Sequence, residues 1–234
     1  MNKLAIVGYG KMGRIIEALA PSYGFTSIVK IDLNDPISAA AEADVAIEFS
    51  MPEAAPRNLR KLAELMVPTV CGTTGWSHDF HEIKAAYEIA ETPLVWSPNF
   101  SIGVNVFFRL AEEAARLMKN YEDYGAWAWE IHHAAKKDAP SGTMLKAVER
   151  MVAAGFRRPI DVASNRAGAI PGTHEIGFDS AADTITLRHT ARSREGFARG
   201  ALEAARWLVN QPDGKAGVHE FSQILFGAPT EPRP

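Results

Sequence analysis

Twelve consecutive residues, HHAAKKDAPSGT from His132 to Thr143, bring together two imidazoles, two ammonium groups, a carboxylate and a hydroxyl-glycine-hydroxyl turn. Imidazole and ammonium groups carry both positive charge and transferable protons. Serine and threonine add hydroxyl donors, and Gly142 lets a ligand approach the backbone. The run has the composition of a site for a small anion with acid–base groups beside it. His132 and Lys136 are the candidates for proton transfer, and His133, Ser141, Gly142 and Thr143 the candidates for holding the anion.

The flanking residues say how such a site would be built. Trp127, Ala128, Trp129, Glu130 and Ile131 alternate as a strand does, and TMLKAVERMVAAG has the apolar spacing of a helix. The cluster therefore sits at a helix N-terminus, where free backbone N–H groups and the positive end of the helix dipole favour a carboxylate or phosphate. Capping alone explains a Ser or Asp at such a place. It does not explain two histidines and two lysines in the same turn.

A second site is written at the start of the chain. The apolar run Leu4 to Val7 leads into Gly8-Tyr9-Gly10-Lys11-Met12-Gly13 and then the helical pattern RIIEALA. G-x-G-x-x-G between strand and helix permits a tight turn, close approach of a pyrophosphate and close helix–strand packing. Asp32 follows 19 residues after Gly13, at the end of the strand SIVKID, near the offset at which an acidic residue takes ribose hydroxyls. Its charge opposes a 2′-phosphate, and Leu33 stands where a phosphate-binding Arg could have stood. Lys11 and Lys30 blunt that opposition. The expected cofactor is NADH, with NADPH as a second choice.

Strand and helix patterns then alternate through DVAIEFS, PRNLRKLAELM, PTVCGTTGW, HDFHEIKAAYEIAE and PLVWS. This rhythm implies an α/β fold of Rossmann type, a doubly wound parallel sheet with its ligand beyond the carboxyl ends of the strands. Ser50, Gly72, Thr73, Thr74, Asn99 and Phe100 stand at those ends. From Ile102 a helix carries the chain into a second α+β domain, where PIDVAS, HEIGFD and DTITLRHTA read as strands of a mixed, largely antiparallel sheet. The helix REGFARGALEAARWLVN ends near Pro212-Asp213-Gly214, and VHEFSQIL reads as a short terminal element. His174 and His189 receive no catalytic role, because their spacing does not put them beside His132.

A net charge of −3 gives no reason to expect nucleic acid, and 47% hydrophobic with 23% charged residues is ordinary for a globular chain. No apolar run reaches membrane-spanning length, and MNKLAIVGYG leads into a strand without signal-peptide architecture. The single cysteine, Cys71, cannot form an internal disulfide or a Cys-based metal site, so no metal is expected. These features point to the cytoplasm.

The run from His132 to Thr143 resembles the signature HHxxKxDAPSGT of the dihydrodipicolinate reductase family. Gly72 to Gly75 resemble its GTTG turn, Asn99 to Asn105 its NFSxGVN segment, and Arg166, Gly168, Gly172 and His174 its RxG and GxH elements. The resemblance covers essentially the whole chain and implies NAD(P)H-dependent reduction of a cyclic imine dicarboxylate to tetrahydrodipicolinate, in diaminopimelate and lysine biosynthesis. It gives Thr73, Thr74, Asn99 and Phe100 places beside the nicotinamide. It also implies a discontinuous nucleotide domain (1–101 and 194–234), a substrate-binding and oligomerisation domain (102–193), and a homotetramer. Closure about the two linkers would bring the ligands together. The glycine-rich turn is one residue shorter than in many members, and Ala134 and Ala135 fill positions that are often polar there. Another dehydrogenase of similar build would not need the His-His-Lys run, and a redox-sensing module would not need a proton donor.

Overall fold

The computed structural model describes residues 2–210 and 216–227. The expected turn at Pro212-Asp213-Gly214 lies outside the described residues. The chain forms two compact units, Met1–Ser101 with Glu195–Pro234, and Ile102–Arg194.

In the first unit, β1 (Asn2–Val7), β2 (Phe25–Ile31), β3 (Val45–Glu48), β4 (Thr69–Cys71), β5 (Pro93–Trp96) and β10 (Gly217–Glu220) form one sheet in the order β10-β5-β4-β3-β1-β2. Every pairing is parallel. The central strands are short continuous apolar runs because helices cover both faces. α1 (Lys11–Leu19) and α6 (Glu195–Val209) pack one face around Leu4, Ile6, Val70 and Val95. α2 (Ala55–Glu64) and α3 (Phe80–Ile89) cover Cys71, Leu94 and Trp76 on the other. VHEFSQIL is two elements rather than one: Gly217–Glu220 adds β10 to the sheet edge beside β5, and α7 (Phe221–Phe226) buries Phe221 against Phe100. Alternation over four residues was too short to mark that strand.

In the second unit, β6 (Gly125–His132), β7 (Ile160–Arg166), β8 (Thr173–Asp179) and β9 (Thr184–Thr190) take the order β7-β6-β8-β9. β6 pairs with β7 in parallel and with β8 antiparallel, as β8 does with β9, so the sheet is mixed. α4 (Ile102–Met118) and α5 (Gly142–Ala153) close a core of Phe107, Phe108, Met144, Met151, Phe156 and Phe178. Strand alternation turns Ala126, Ala128, Glu130 and His132 of β6 inward and leaves Trp127, Trp129 and Ile131 half-buried on the opposite face. No described helix is long and apolar enough to cross a membrane.

Candidate active site

The glycine-rich turn of the first unit is built for a ligand that approaches backbone. Gly8 has φ +93, and a Cβ there would lie 2.3 Å from the Phe49 carbonyl oxygen, so both conformation and crowding demand glycine. A Cβ on Gly13 would lie 2.6 Å from the Gly8 oxygen, which fixes how closely α1 approaches β1. Gly10 differs: a Cβ would meet nothing within 4 Å, and as the N-cap of α1 it makes no side-chain cap. The helix N-terminus is left open, which fits a pyrophosphate.

Beside it lies a cavity of about 570 Å³ with Gly8, Gly10, Asp32, Ser50 and Arg57 among its walls. Asp32 is exposed there and fixed by its turn: its N–H donates to Asp35 Oδ2 (2.9 Å) and its Oδ1 accepts from the Leu33 N–H (3.0 Å). Lys30 is drawn away, with its ammonium 2.6 Å from Glu17 and over the Tyr9 ring. The Tyr9 hydroxyl also donates to Glu17, so this side chain braces the sheet edge. Lys11 is exposed at the start of α1, and Met12 packs against the core. Cations do line the cavity, at Arg57 and at Lys61, the latter paired with Glu64 at 2.6 Å. Sequence spacing offered no sign of them, because they project from α2 rather than from the turn after β2.

The strand ends are held from below by Glu48, which is fully buried. The Ser50 hydroxyl and the Cys71 thiol (3.5 Å) donate to it, and burial followed by this carboxylate's charge pushes the thiol pKa up. Thr73 Oγ1 accepts from the Ser50 N–H (2.9 Å) and its carbonyl from Trp76 Nε1 (2.7 Å), while Thr74 is exposed over a cavity of about 120 Å³. A Cβ on Gly72 would lie 2.0 Å from the Phe49 ring, so packing demands this glycine. Asn99 Oδ1 accepts from the Ser101 N–H (2.9 Å). The Phe100 ring is buried against Phe221, 4.8 Å away between ring centroids.

In the second unit the run from His132 to Thr143 closes around Glu130. This carboxylate has no exposure. It accepts from the Ser141 N–H (2.9 Å), the Ser141 hydroxyl, the Ser164 hydroxyl (3.1 Å) and Arg166 Nη2 (2.8 Å). Burial opposes its ionisation, but the hydrogen bonds from Ser141 and Arg166 outweigh burial and hold its pKa below the ordinary range. Ser141 thus faces inward, and its Oγ also caps α5 by accepting from the Met144 N–H (3.2 Å). Gly142 is exposed with open space around it, and Thr143 is half-buried in the same turn. The accessible part of the turn is therefore Gly142 and Thr143, while Ser141 fixes it from behind.

Lys136 pairs with Asp138 at 2.8 Å. That pairing, with help from the Gly142 N–H, holds the Asp138 carboxyl below its usual range. His133 is half-buried, and its carbonyl accepts from the Lys136 N–H (3.1 Å) in the turn that presents the lysine. His132 is only 6% exposed, and burial lowers its pKa despite the favourable charge of Glu130. Its ring lies 4.9 Å from that of His174, whose pKa burial and then His132 push down to about 4. His174 is thus beside the signature after all. It faces Glu130 across the β6–β8 pair, a register that linear spacing does not reveal. Glu130 was equally unread, although it shares the inward parity of His132. Its Oε2 lies 3.7 Å from His132 Nδ1 and 3.6 Å from His174 Nε2. Three such donors suit a metal by type, but Ser141, Ser164 and the Arg166 guanidinium already take up the carboxylate, so the cluster is built as a hydrogen-bonded hub.

Residues 2–100 match the family profile described as "Dihydrodipicolinate reductase, N-terminus", and residues 103–225 the one described as "Dihydrodipicolinate reductase, C-terminus". The chain is 34% identical over 240 residues to a 4-hydroxy-tetrahydrodipicolinate reductase of Christiangramia forsetii, covering 95% of this chain and 97% of that one. It is 34% identical over 229 residues to the enzyme of that name from Bdellovibrio bacteriovorus, with 96% of each chain covered. A dipicolinate-bound dihydrodipicolinate reductase from Paenisporosarcina superposes with TM-score 0.72 at 21% identity, over 94% of this chain and 97% of that one. An aspartate dehydrogenase from Thermotoga maritima superposes with TM-score 0.51 at 12% identity, over 90% of this chain and 98% of that one, a likeness of fold alone.

Proposed function

The chain belongs to the dihydrodipicolinate reductase family, and from that premise we propose how its two units divide the reduction of 4-hydroxy-tetrahydrodipicolinate by NAD(P)H. The observation that carries the reading is the turn from Lys136 to Thr143, where the Lys136–Asp138 pair stands beside the exposed Gly142 at the N-terminus of α5. The first unit holds the dinucleotide, with pyrophosphate at Gly10 and ribose hydroxyls at Asp32. Once the 4-hydroxyl has left the ring as water, a conjugated carbon–carbon bond is in place; bound reduced nicotinamide would supply a hydride to it, leaving an enamine-like anion that needs a proton. Lys136 supplies that proton. His132 is the weaker candidate, since an imidazole with a lowered pKa is neutral and a poor acid near pH 7. One substrate carboxylate is received at Gly142 and Thr143, taking over the Gly142 N–H from Asp138, and His133 with Lys136 takes part in holding the other.

NADH is the preferred cofactor. Asp32 opposes a 2′-phosphate and Lys30 is held by Glu17. Arg57 and Lys61 in the cavity wall leave NADPH as a second substrate. The second unit is also the oligomerisation unit. Trp127, Trp129 and Ile131 are half-buried on the sheet face away from α4 and α5, and such a face with open edge strands supports a homotetramer. A single buried cysteine and the biosynthetic activity support a cytoplasmic enzyme. Steady-state kinetics with both cofactors test the preference: a higher kcat/KM for NADH is expected, and a clear NADPH preference refutes it.

A further inference from the structure

The signature run depends on a residue outside it. Glu130 sits two residues before His132 on β6, on the same face of the strand, and is fully buried. Its carboxylate takes both the N–H and the hydroxyl of Ser141, the residue that opens and caps α5. It takes Arg166 Nη2 at 2.8 Å, and that same nitrogen donates to the Asp138 carbonyl in the loop carrying Lys136. The imidazoles of His132 and His174 close the other side, 3.7 and 3.6 Å away, and Nδ1 of His132 is buried without another partner. One carboxylate thus ties together β6, β7, β8, the loop and the first turn of α5.

Gly172 shapes the opposite side of the His132 ring. A Cβ there would lie 2.9 Å from His132 Nε2, so the ring is confined between Gly172 and Glu130. We propose that Glu130 is a positioning residue for the reductase reaction: it holds the N-terminus of α5 in place to receive a substrate carboxylate and keeps Nδ1 of His132 turned towards itself. The inference rests on the function proposed above. Glu130 is fully buried and acts through Ser141, Arg166 and His132.

The groups facing His132 are Glu130 on its own strand, Lys136 and Asp138 from the loop, Arg166 from β7 and His174 from β8, with His189 beyond on β9. Of these, Glu130 is the foremost in favouring the protonated ring. Its removal therefore has a signature that loosened packing does not. In Glu130→Gln, the His132 resonances followed by NMR should titrate lower by about one pH unit. Binding of pyridine-2,6-dicarboxylate by calorimetry and kcat/KM should each fall on the order of 10²-fold, the scale expected when a binding group is misplaced by an ångström. NADH affinity should stay within about twofold, as expected for independent sites. Glu130→Asp keeps the charge but draws it back, so it should restore the His132 titration while leaving dicarboxylate binding weak.

Should Glu130→Gln fail to fold, Glu130→Asp and Ser141→Ala carry the test, since both disturb the contact with α5. Unchanged dicarboxylate binding in these variants overturns the proposal. A His132 titration unmoved in a folded Glu130→Gln overturns the proposed hold on the ring. A wild-type protein that neither binds the dicarboxylate nor turns over points instead to failure of the functional reading.

Discussion

At the scale of the residue, the chemistry reduces to one proton and two carboxylates. If Lys136 is the donor, Lys136→Ala should lower kcat by roughly 10²–10⁴ while leaving NADH affinity nearly intact, and His132→Ala should do less. A lysine that merely anchors a carboxylate would instead raise KM with kcat little changed. Thr143→Val should weaken competitive inhibition by pyridine-2,6-dicarboxylate by about 1.5–3 kcal/mol, the range for a hydrogen bond to a charged group. Inhibition as strong as in wild type would move that carboxylate off the α5 turn. The first turn of α5 separates the two kinds of residue: Gly142 and Thr143 are accessible, and Ser141 is spent on Glu130 and the cap.

At the scale of the element, close approach sets the sequence. Gly200 lies within α6, where alanine ordinarily stabilises a helix by about 1 kcal/mol. Here a Cβ would lie 1.7 Å from the Phe100 carbonyl oxygen. Gly200→Ala should therefore lower Tm, and a raised Tm would show that α6 and the Phe100 backbone can part cheaply. The elements themselves were largely legible, because parallel strands and amphipathic helices leave strong periodic signals. The site was legible where its residues are consecutive, as in the glycine-rich turn and the run to Thr143. Where pairing across strands brings residues together it was not. Glu130 and His174 stand opposite one another on β6 and β8, and nothing in a linear spacing of 44 residues announces that register. Arg57 escaped because it reaches the cavity beside the glycine-rich turn from α2, distant in sequence from that turn.

At the scale of the whole molecule, buried histidines make stability depend on pH. His132, His174 and His189 all have pKa values lowered by burial, His174 to about 4. An unfolded chain protonates these three histidines near 6.5, while in the folded chain they take up protons only at lower pH. Acid therefore favours unfolding: stability present above about pH 6.5 is lost as pH falls towards 4, on the order of 3 kcal/mol from His174 alone. Denaturant midpoints across that window check the sign, and a flat or rising stability on acidification contradicts it. Assembly is a separate expectation, tested by sedimentation equilibrium at micromolar protein, with a tetramer expected and a monomer refuting it. The central claim is the reaction itself, and the most direct measurement is NADH oxidation followed at saturating cofactor with freshly generated 4-hydroxy-tetrahydrodipicolinate. Substrate-dependent oxidation yielding tetrahydrodipicolinate in equal amount, and strongly reduced in Lys136→Ala, is the predicted result; oxidation no faster with substrate than without it would contradict the account.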